Sequence, residues 1–355
     1  MQKTLERYSL KGDTMIKIGI NGFGRIGSLV FRAAMKAEDI EVVAINAPRH
    51  PASQVAYATE YDTVHGRYDG TIEADDEAGT MTVDGQVIKV LDDIKYRDAS
   101  LIPWGELGVD YVMECTGQYR KGVDAQKHID AGAKVVVISG PTKQDVPMFV
   151  CGANLHEYDP SMNIVSNASC TTNCVAPLAK VVHDNFGIVE GFMTTIHATT
   201  ASQSPVDGFP KKNWRLGRSV FGNIVPTTTG AADAVGRVIP DLNGKMTGVS
   251  IRIPSADVSI ADLTVRLEKS ATYDEICEAI KKAAEGELKG ILGYTEDEVV
   301  SQDFRSDPRT SIFDKGAGKA LNGQFVKLMA WYDNEWGFSN KMLDLTRHID
   351  SVRNA

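Results

Sequence analysis

The run Ile16-Lys17-Ile18-Gly19-Ile20, followed at once by Asn21-Gly22-Phe23-Gly24-Arg25-Ile26-Gly27, leaves this chain little choice of fold at its start. Residues 16–20 read as a buried strand, 28–36 as a helix and 41–46 as a second strand, which together make a βαβ unit. A Gly-x-Gly-x-x-Gly turn in that context is a dinucleotide-binding signature. Gly22 permits the tight turn, Gly24 lets the backbone approach a pyrophosphate, and Gly27 allows close helix-strand packing. The weaker reading, a glycine-rich turn without a ligand, does not use the strands and helix around it. In such units an acidic residue about 20 positions past the last glycine takes the ribose 2′-hydroxyl of NAD. Here that place holds Ala47, followed by Pro48, Arg49 and His50. With no carboxylate to repel a 2′-phosphate, and Arg49 or His50 able to pair with one, the reading favours NADP or use of both NAD and NADP. The competing reading is a surface turn whose cations face water.

Strand and helix signals continue to alternate. Residues 87–91 and 111–116 read as strands, the second ending at Thr116-Gly117 where a cofactor would lie; 123–131 reads as helix and 134–139 as strand. This order implies a mostly parallel, doubly wound sheet. The pattern then changes. Residues 201–222 form a long stretch of little periodicity carrying Lys211, Lys212, Arg215 and Arg218. A loop of that length is usually functional or packed on a partner. Its cations either face solvent or help to hold phosphate and subunit contacts. Residues 247–253 and 258–267 alternate in the manner of antiparallel strands. Thr272-x-x-Glu275 is a capping box before an amphipathic helix ending at Gly286; 325–331 reads as a strand, and a last helix begins near Ser339. The expected fold class is α/β, an N-terminal doubly wound Rossmann domain with a second α+β catalytic domain on a mostly antiparallel sheet. The expected division is a disordered extension 1–14, a dinucleotide-binding domain 15–169 plus 335–355, and a catalytic domain 170–334.

Chemistry concentrates in Ser166-Asn167-Ala168-Ser169-Cys170-Thr171-Thr172-Asn173-Cys174. Val175, Leu178, Ala179 and Val182 recur at helical spacing, placing Cys170 near a helix start whose amide dipoles favour a thiolate. Pro177 implies either a later start or a kink. His197 ends an apolar run, 191–196, that reads as a strand and can return beside the cysteine as its base. A small buried cysteine is more often packing than chemistry. Cys174 makes C-x-x-x-C with no second ligand pair, so neither zinc nor a disulfide is expected there, and no metal elsewhere. The net charge of -9 argues against nucleic-acid and anionic-membrane partners. Five scattered cysteines fit a reducing, cytoplasmic setting; no apolar run approaches a membrane span, and 1–14 lacks the apolar middle of a signal peptide.

These residues bring the chain close to a family. With Asn21 through Gly27, Tyr61-Asp62-Thr63-Val64-His65-Gly66, Ser166 through Cys174, Pro226-Thr227-Thr228-Thr229-Gly230-Ala231-Ala232 and Trp331-Tyr332-Asp333-Asn334-Glu335-Trp336-Gly337, the sequence resembles phosphorylating glyceraldehyde-3-phosphate dehydrogenases. The resemblance implies that Cys170 attacks the aldehyde of glyceraldehyde 3-phosphate to give a thiohemiacetal, and that His197 takes its hydroxyl proton as hydride leaves. Inorganic phosphate then attacks the thioester to give 1,3-bisphosphoglycerate. It implies that Thr200, Ser202 and Arg252 hold the C3 phosphate, and that Ser169, Thr171, Thr229 and Gly230 hold the attacking phosphate, with Lys212 as a further phosphate contact. Asn334 would hold the nicotinamide carboxamide, and Arg25, Ile26, Arg97 and Thr116 would line the cofactor cleft. Residues 201–222 correspond to a loop that reaches a neighbouring subunit's cofactor in a homotetramer. Two positions depart from the pattern: Ala47, which resembles NADP-preferring members, and Phe338, where tyrosine is common. The rival readings are an erythrose-4-phosphate dehydrogenase, which ends in hydrolysis, and a cofactor-binding surface protein without catalysis.

Overall fold

A computed structural model describes residues 15–143, 145–210 and 213–355. The expectation for 1–14 and the positions Lys211 and Lys212 lie outside the described residues. The first part of the chain runs β1 (Ile16–Asn21), α1 (Arg25–Ala34), β2 (Ile40–Asn46), α2 (Ala52–Glu60), β3 (Ile72–Asp75), β4 (Thr80–Val83), β5 (Gln86–Leu91), β6 (Tyr111–Glu114), α3 (Gly122–Asp130), β7 (Val135–Ile138) and β8 (Ile164–Ser166). The remainder runs α4 (Cys170–Phe186), β9 (Ile188–His197), β10 (Val225–Thr228), α5 (Ala231–Val238), β11 (Met246–Arg252), β12 (Ser259–Leu267), α6 (Tyr273–Glu285), β13 (Leu292–Thr295), β14 (Ser311–Asn322), β15 (Phe325–Tyr332) and α7 (Trp336–Arg353).

The first sheet has the order β3-β4-β5-β2-β1-β6-β7-β8, parallel throughout except for the antiparallel edge made by β3, β4 and β5. Its two faces are both covered, as a parallel sheet requires. On one face Ile16, Ile18 and Ile20 of β1 join a core with Val30 and Phe31 of α1 and with Met342, Leu345 and Ile349 of α7. The other face is built around Trp104, fully buried among Val112, Val136 and Ala125. Gly19, between Ile18 and Ile20, points at that tryptophan; a Cβ there would come within 2.6 Å of its ring. The alternation of β1 is thus isoleucine towards one helix layer and glycine towards the other.

The second sheet, β10-β11-β9-β12-β15-β14-β13, is mostly antiparallel, so the Rossmann and α+β division of the fold holds. One expectation needs correction: β11 is antiparallel to β10 but parallel to β9. Side-chain alternation reports a half-buried strand and says nothing of its neighbour's direction. α4, α5 and α6 cover this sheet through one continuous core that includes Val175, Leu178, Val235, Ile276 and Ile280.

Two helix starts also differ from the sequence reading. α4 begins at Cys170 itself and continues through Pro177. The Ser169 hydroxyl accepts the Thr172 N–H at 3.0 Å and fixes the start, while the proline forfeits only the one backbone bond its own N–H would have made. α7 begins at Trp336, ahead of Ser339, because the Asp333 carboxylate accepts the N–H groups of Glu335 and Trp336 at 2.9 and 2.7 Å. The capping box at Thr272 and Glu275 is present on α6, which gives way at Gly286. The strands β3, β4, β8, β10, β13 and β14 were not marked by the sequence pattern. Among the described residues no helix is long and apolar enough to cross a membrane.

The three glycines of the turn differ in what they tolerate. Gly22 holds φ at +91°, and a Cβ on Gly27 would collide with the Gly22 carbonyl, whereas a Cβ on Gly24 meets nothing within 4 Å. Gly27→Ala is therefore expected to lower unfolding stability by about 1–3 kcal/mol through overpacking. Gly24→Ala should stay within about 0.5 kcal/mol of the parent yet weaken dinucleotide binding. Urea midpoints and fluorescence titration with the cofactor separate the two effects.

Candidate active site

Cys170 is the first residue of α4, where unpaired amides lend partial positive charge. His197 is the last residue of β9, held in register opposite Arg252 of β11. The two meet: the Cys170 Sγ lies 3.5 Å from His197 Nε2. The imidazole is 3% exposed and leans edge-on against Tyr332, with ring centroids 5.9 Å apart. Tyr332 in turn shares its hydroxyl with Thr171 at 2.9 Å and Thr195 at 2.7 Å. This buried phenol ties the start of α4 to β9, a role its sequence position did not reveal.

The electrostatics differ from a standing thiolate. Burial pushes the Cys170 thiol up, only partly offset by the Arg252 guanidinium and by hydrogen bonding to Thr171. Burial and the same guanidinium press His197 down to about 3. At neutral pH the resting pair is a thiol beside a neutral imidazole. Which nitrogen carries the proton decides what the histidine can do. Nδ1 lies 2.7 Å from the Ala198 carbonyl and 2.6 Å from Arg252 Nη1. A proton on Nδ1 donates to the carbonyl and leaves Nε2 as a base facing sulfur. Donation from Arg252 to Nδ1 instead puts the proton on Nε2, where it can support a thiolate. An anion that draws Arg252 away favours the first state. Arg252 Nε is buried and, among the described residues, has no partner, so the guanidinium retains a donor.

Around this pair, Thr200 and Ser202 share a hydrogen bond of 2.9 Å between their hydroxyls on the loop after β9. The Thr229 hydroxyl accepts the Ala231 N–H at 3.1 Å, and Gly230 precedes α5 with open space where a Cβ would stand. Asn334 is buried; its Oδ1 accepts from the Ser259 hydroxyl at 2.7 Å, which fixes the amide so that its NH₂ is free to donate. Ser259 also accepts the Ala198 N–H at 3.0 Å, linking the asparagine to the residue after His197.

At the carboxyl ends of β1, β2 and β6 lies a cleft of about 430 Å³. Asn21, Gly22, Gly24, Ala47, His50, Arg97 and Thr116 are among the residues that line it. No Asp or Glu is among the residues that line it. Arg49 is exposed, with φ +72°, and is not on the wall; nor are Gly117, Gly27, Ile26 and Asn334. The Arg25 side chain pairs with Asp62 and Glu335. The N-terminus of α1 has no side-chain cap, so its amides are left to an anion. These features, with the empty space above Gly24, fit a dinucleotide.

Behind the cleft is a network that the sequence reading missed. Asn46 Nδ2 donates to Asn21 Oδ1 at 2.7 Å, and Asn21 donates to Glu114. Glu114 also accepts the Thr116 N–H at 2.8 Å and the Thr116 hydroxyl. His128 completes it: its Nδ1 accepts from the Trp104 indole at 3.0 Å, so Nε2 carries the proton and faces Glu114 at 3.2 Å. The carboxylate, 1% exposed, thereby orients two residues of the cleft directly, Asn21 and Thr116, and a third, Asn46, through Asn21. A lone glutamate at the end of a strand carries no sequence signal for this.

Two family models match the chain: the NAD binding domain of glyceraldehyde 3-phosphate dehydrogenase over 16–122, and its C-terminal domain over 169–334. The chain is similar to the glyceraldehyde-3-phosphate dehydrogenase of Salmonella typhimurium and to glyceraldehyde-3-phosphate dehydrogenase A of Escherichia coli K12. Identity to each is 59% over 334 residues, covering 94% of this chain and 99% of the relative. It is 58% identical to the Omphalotus olearius enzyme of the same name over 335 residues, 94% of this chain and 98% of the relative.

Two outcomes follow from this geometry. Alkylation of Cys170 by iodoacetamide in the free protein should rise about tenfold per pH unit between about pH 6 and about pH 8, because the raised thiol ionises only above that range. A plateau below about pH 7 would show a standing thiolate instead. Glu114→Gln should weaken dinucleotide binding by about 10–100-fold, as loss of an orienting group does elsewhere. Binding titration measures this, and an unchanged affinity would remove Glu114 from the cofactor site.

Proposed function

We propose that this chain, which belongs to the glyceraldehyde-3-phosphate dehydrogenase family, oxidises glyceraldehyde 3-phosphate to 1,3-bisphosphoglycerate with uptake of inorganic phosphate. The observation that carries the mechanism is the approach of Cys170 Sγ to His197 Nε2 at the amide end of α4. His197, neutral, receives the thiol proton; sulfur adds to the aldehyde carbon, and the carbonyl oxygen takes that proton from the imidazolium to become the hydroxyl of a thiohemiacetal, leaving His197 neutral again. A free aldehyde has no C–O–H from which hydride can leave, and covalent addition of sulfur supplies one while holding the carbon on the enzyme. His197 then removes the hydroxyl proton as the carbonyl of a thioester forms. When bound, the nicotinamide supplies the hydride acceptor. Inorganic phosphate attacks the thioester, and the Cys170 thiolate leaves, recovering its proton from the base.

Thr200, Ser202 and Arg252 are assigned to the C3 phosphate, and Ser169, Thr171, Thr229 and Gly230 to the attacking phosphate. One guanidinium with several hydroxyls and amides suits an anion that must bind and depart. Asn334 is assigned to the carboxamide, for which its free NH₂ is oriented. For the cofactor, the reading is NADP or both forms, supported by Ala47 and by the lack of any acid among the residues lining the cleft. His50 and Arg97, both on the wall, are better placed than Arg49 for the 2′-phosphate. A homotetramer is supported by the exposed Val206, Phe209, Trp214, Phe221 and Ile224 on and beside the loop after β9, apolar side chains that a neighbouring subunit would cover.

Steady-state oxidation of glyceraldehyde 3-phosphate with each cofactor, with and without phosphate, tests this. Turnover should require phosphate and accept NADP, and Cys170→Ser should abolish it. His197→Asn should cost about 10²–10⁴-fold in kcat. Ala47→Asp should shift kcat/KM towards NAD by at least about tenfold. Turnover indifferent to phosphate would move the assignment to an erythrose-4-phosphate dehydrogenase.

A further inference from the structure

The motif from Tyr61 to Gly66 and the acidic residues around Asn334 have no part in the mechanism above, yet the fold brings them together. His65, in the turn after α2, is 3% exposed at its side chain. Asp257, just before β12, is completely buried, and Glu335 stands at the start of α7. His65 Nε2 lies 3.4 Å from Glu335 Oε2 and 3.7 Å from Asp257 Oδ2, and one donor atom from each residue lies within 4.8 Å of the others. Among the described residues, both Asp257 oxygens and His65 Nε2 lack any hydrogen-bond partner.

The charge nearby does not balance this group. Arg25 is shared between Asp62 and Glu335 and donates to both Glu335 oxygens, so the Oε2 that faces His65 is one it also holds. Asp333 is satisfied by three backbone N–H groups, from Ser306, Glu335 and Trp336. Among the described residues that leaves Asp257 without a cation of its own; burial and the neighbouring Asp333 and Glu335 carboxylates push its carboxyl up to about 9, so at neutral pH it holds a proton that a bound cation would displace. The spacings point to what is suited to the gap. Hydrogen-bonded N and O atoms sit about 2.7–3.2 Å apart, and the nitrogen is farther than that from both carboxylates. Two ligands about 2.0–2.1 Å from one tetrahedral metal are about 3.3–3.4 Å apart; the His65–Glu335 spacing matches this, and the His65–Asp257 spacing of 3.7 Å would close slightly on binding. The tautomer is also suitable: His65 Nδ1 lies 2.9 Å from the Ser306 hydroxyl, which can take the Nδ1 proton and leave Nε2 a bare lone pair.

We propose that His65, Asp257 and Glu335 form a binding site for one divalent cation of borderline hardness, best represented by Zn²⁺. One imidazole and two carboxylates are a nitrogen-oxygen donor set that such ions accept. The site cross-links the turn after α2 to the segments that carry β12 and α7, and Glu335 is next to Asn334 in the chain. The cation has a structural part here and takes none in the chemistry of Cys170.

The test uses the full chain, stripped with chelator and with its accessible thiols carboxamidomethylated, so that Cys170 and His197 cannot bind the probe. Equilibrium dialysis against Zn²⁺ should retain about one ion per chain. Asp257→Asn and His65→Phe should each weaken retention by more than about 100-fold, with circular dichroism in the absence of metal reporting that each variant is folded. Independently of any variant, Co²⁺ added to the same alkylated protein should give the visible absorption bands of a low-symmetry site, and excess Zn²⁺ should abolish them. Failure of the parent protein to retain Zn²⁺ and to give Co²⁺ bands would overturn the proposal and leave a cluster held by shared protons. Retention undiminished in a folded Asp257→Asn would overturn it by placing the ion elsewhere.

Discussion

The register of β9 between β11 and β12 is the constraint on which the catalytic geometry rests. His197 pairs across from Arg252 on one side, while Ile196 pairs with Ile260 on the other. Side chains alternate along a strand, so a slip of one residue would turn His197 to the opposite face and take Arg252 out of reach of its Nδ1. That register is itself secured by the core beneath the sheet, where Met193, Leu263, Val265 and Ala261 are buried against α4 and α6. The helix bearing Cys170 and the strand bearing His197 are therefore positioned by one block of apolar packing. The contact of 3.5 Å is held by that packing together with the Tyr332 hydroxyl bridge between Thr171 and Thr195.

Burial sets the chemistry of the pair as well as its position. The same enclosure that raises the thiol and depresses the imidazole holds both groups uncharged at rest. An anion bound by Arg252 would draw it from His197 Nδ1 and release the tautomer, so charge separation would wait for such a partner. A thiol protected in this way is also less open to oxidation than a permanently ionised one.

What was legible in the sequence was local. The turn from Gly22 to Gly27, the capping box at Thr272 and the break at Gly286 depend on neighbours within a few positions, and the structure has them where the pattern put them. The alternation of strand and helix was enough to give a parallel sheet followed by a mostly antiparallel one. The misses share a physical cause. The start of α4 is fixed by Ser169, which outweighs the signal from Pro177, and α7 is started by a carboxylate outside the helix. The parallel pairing of β11 with β9, the Tyr332 hydroxyl bridge and the Glu114-His128 network are long-range, with partners separated by tens to hundreds of positions. No single-chain periodicity encodes those meetings.

Ser259 carries a consequence beyond its size. Its hydroxyl accepts from the backbone after His197 and donates to Asn334. The base and the amide assigned to the cofactor are thus indexed to one oxygen atom, a common origin for two coordinate frames. Selection acting on cofactor fit through Asn334 would disturb the placement of the base, and selection on the base would disturb the fit. In evolutionary terms the two traits are pleiotropic, whereas Ala47, which also lines the cleft but has no part in that link, can vary alone.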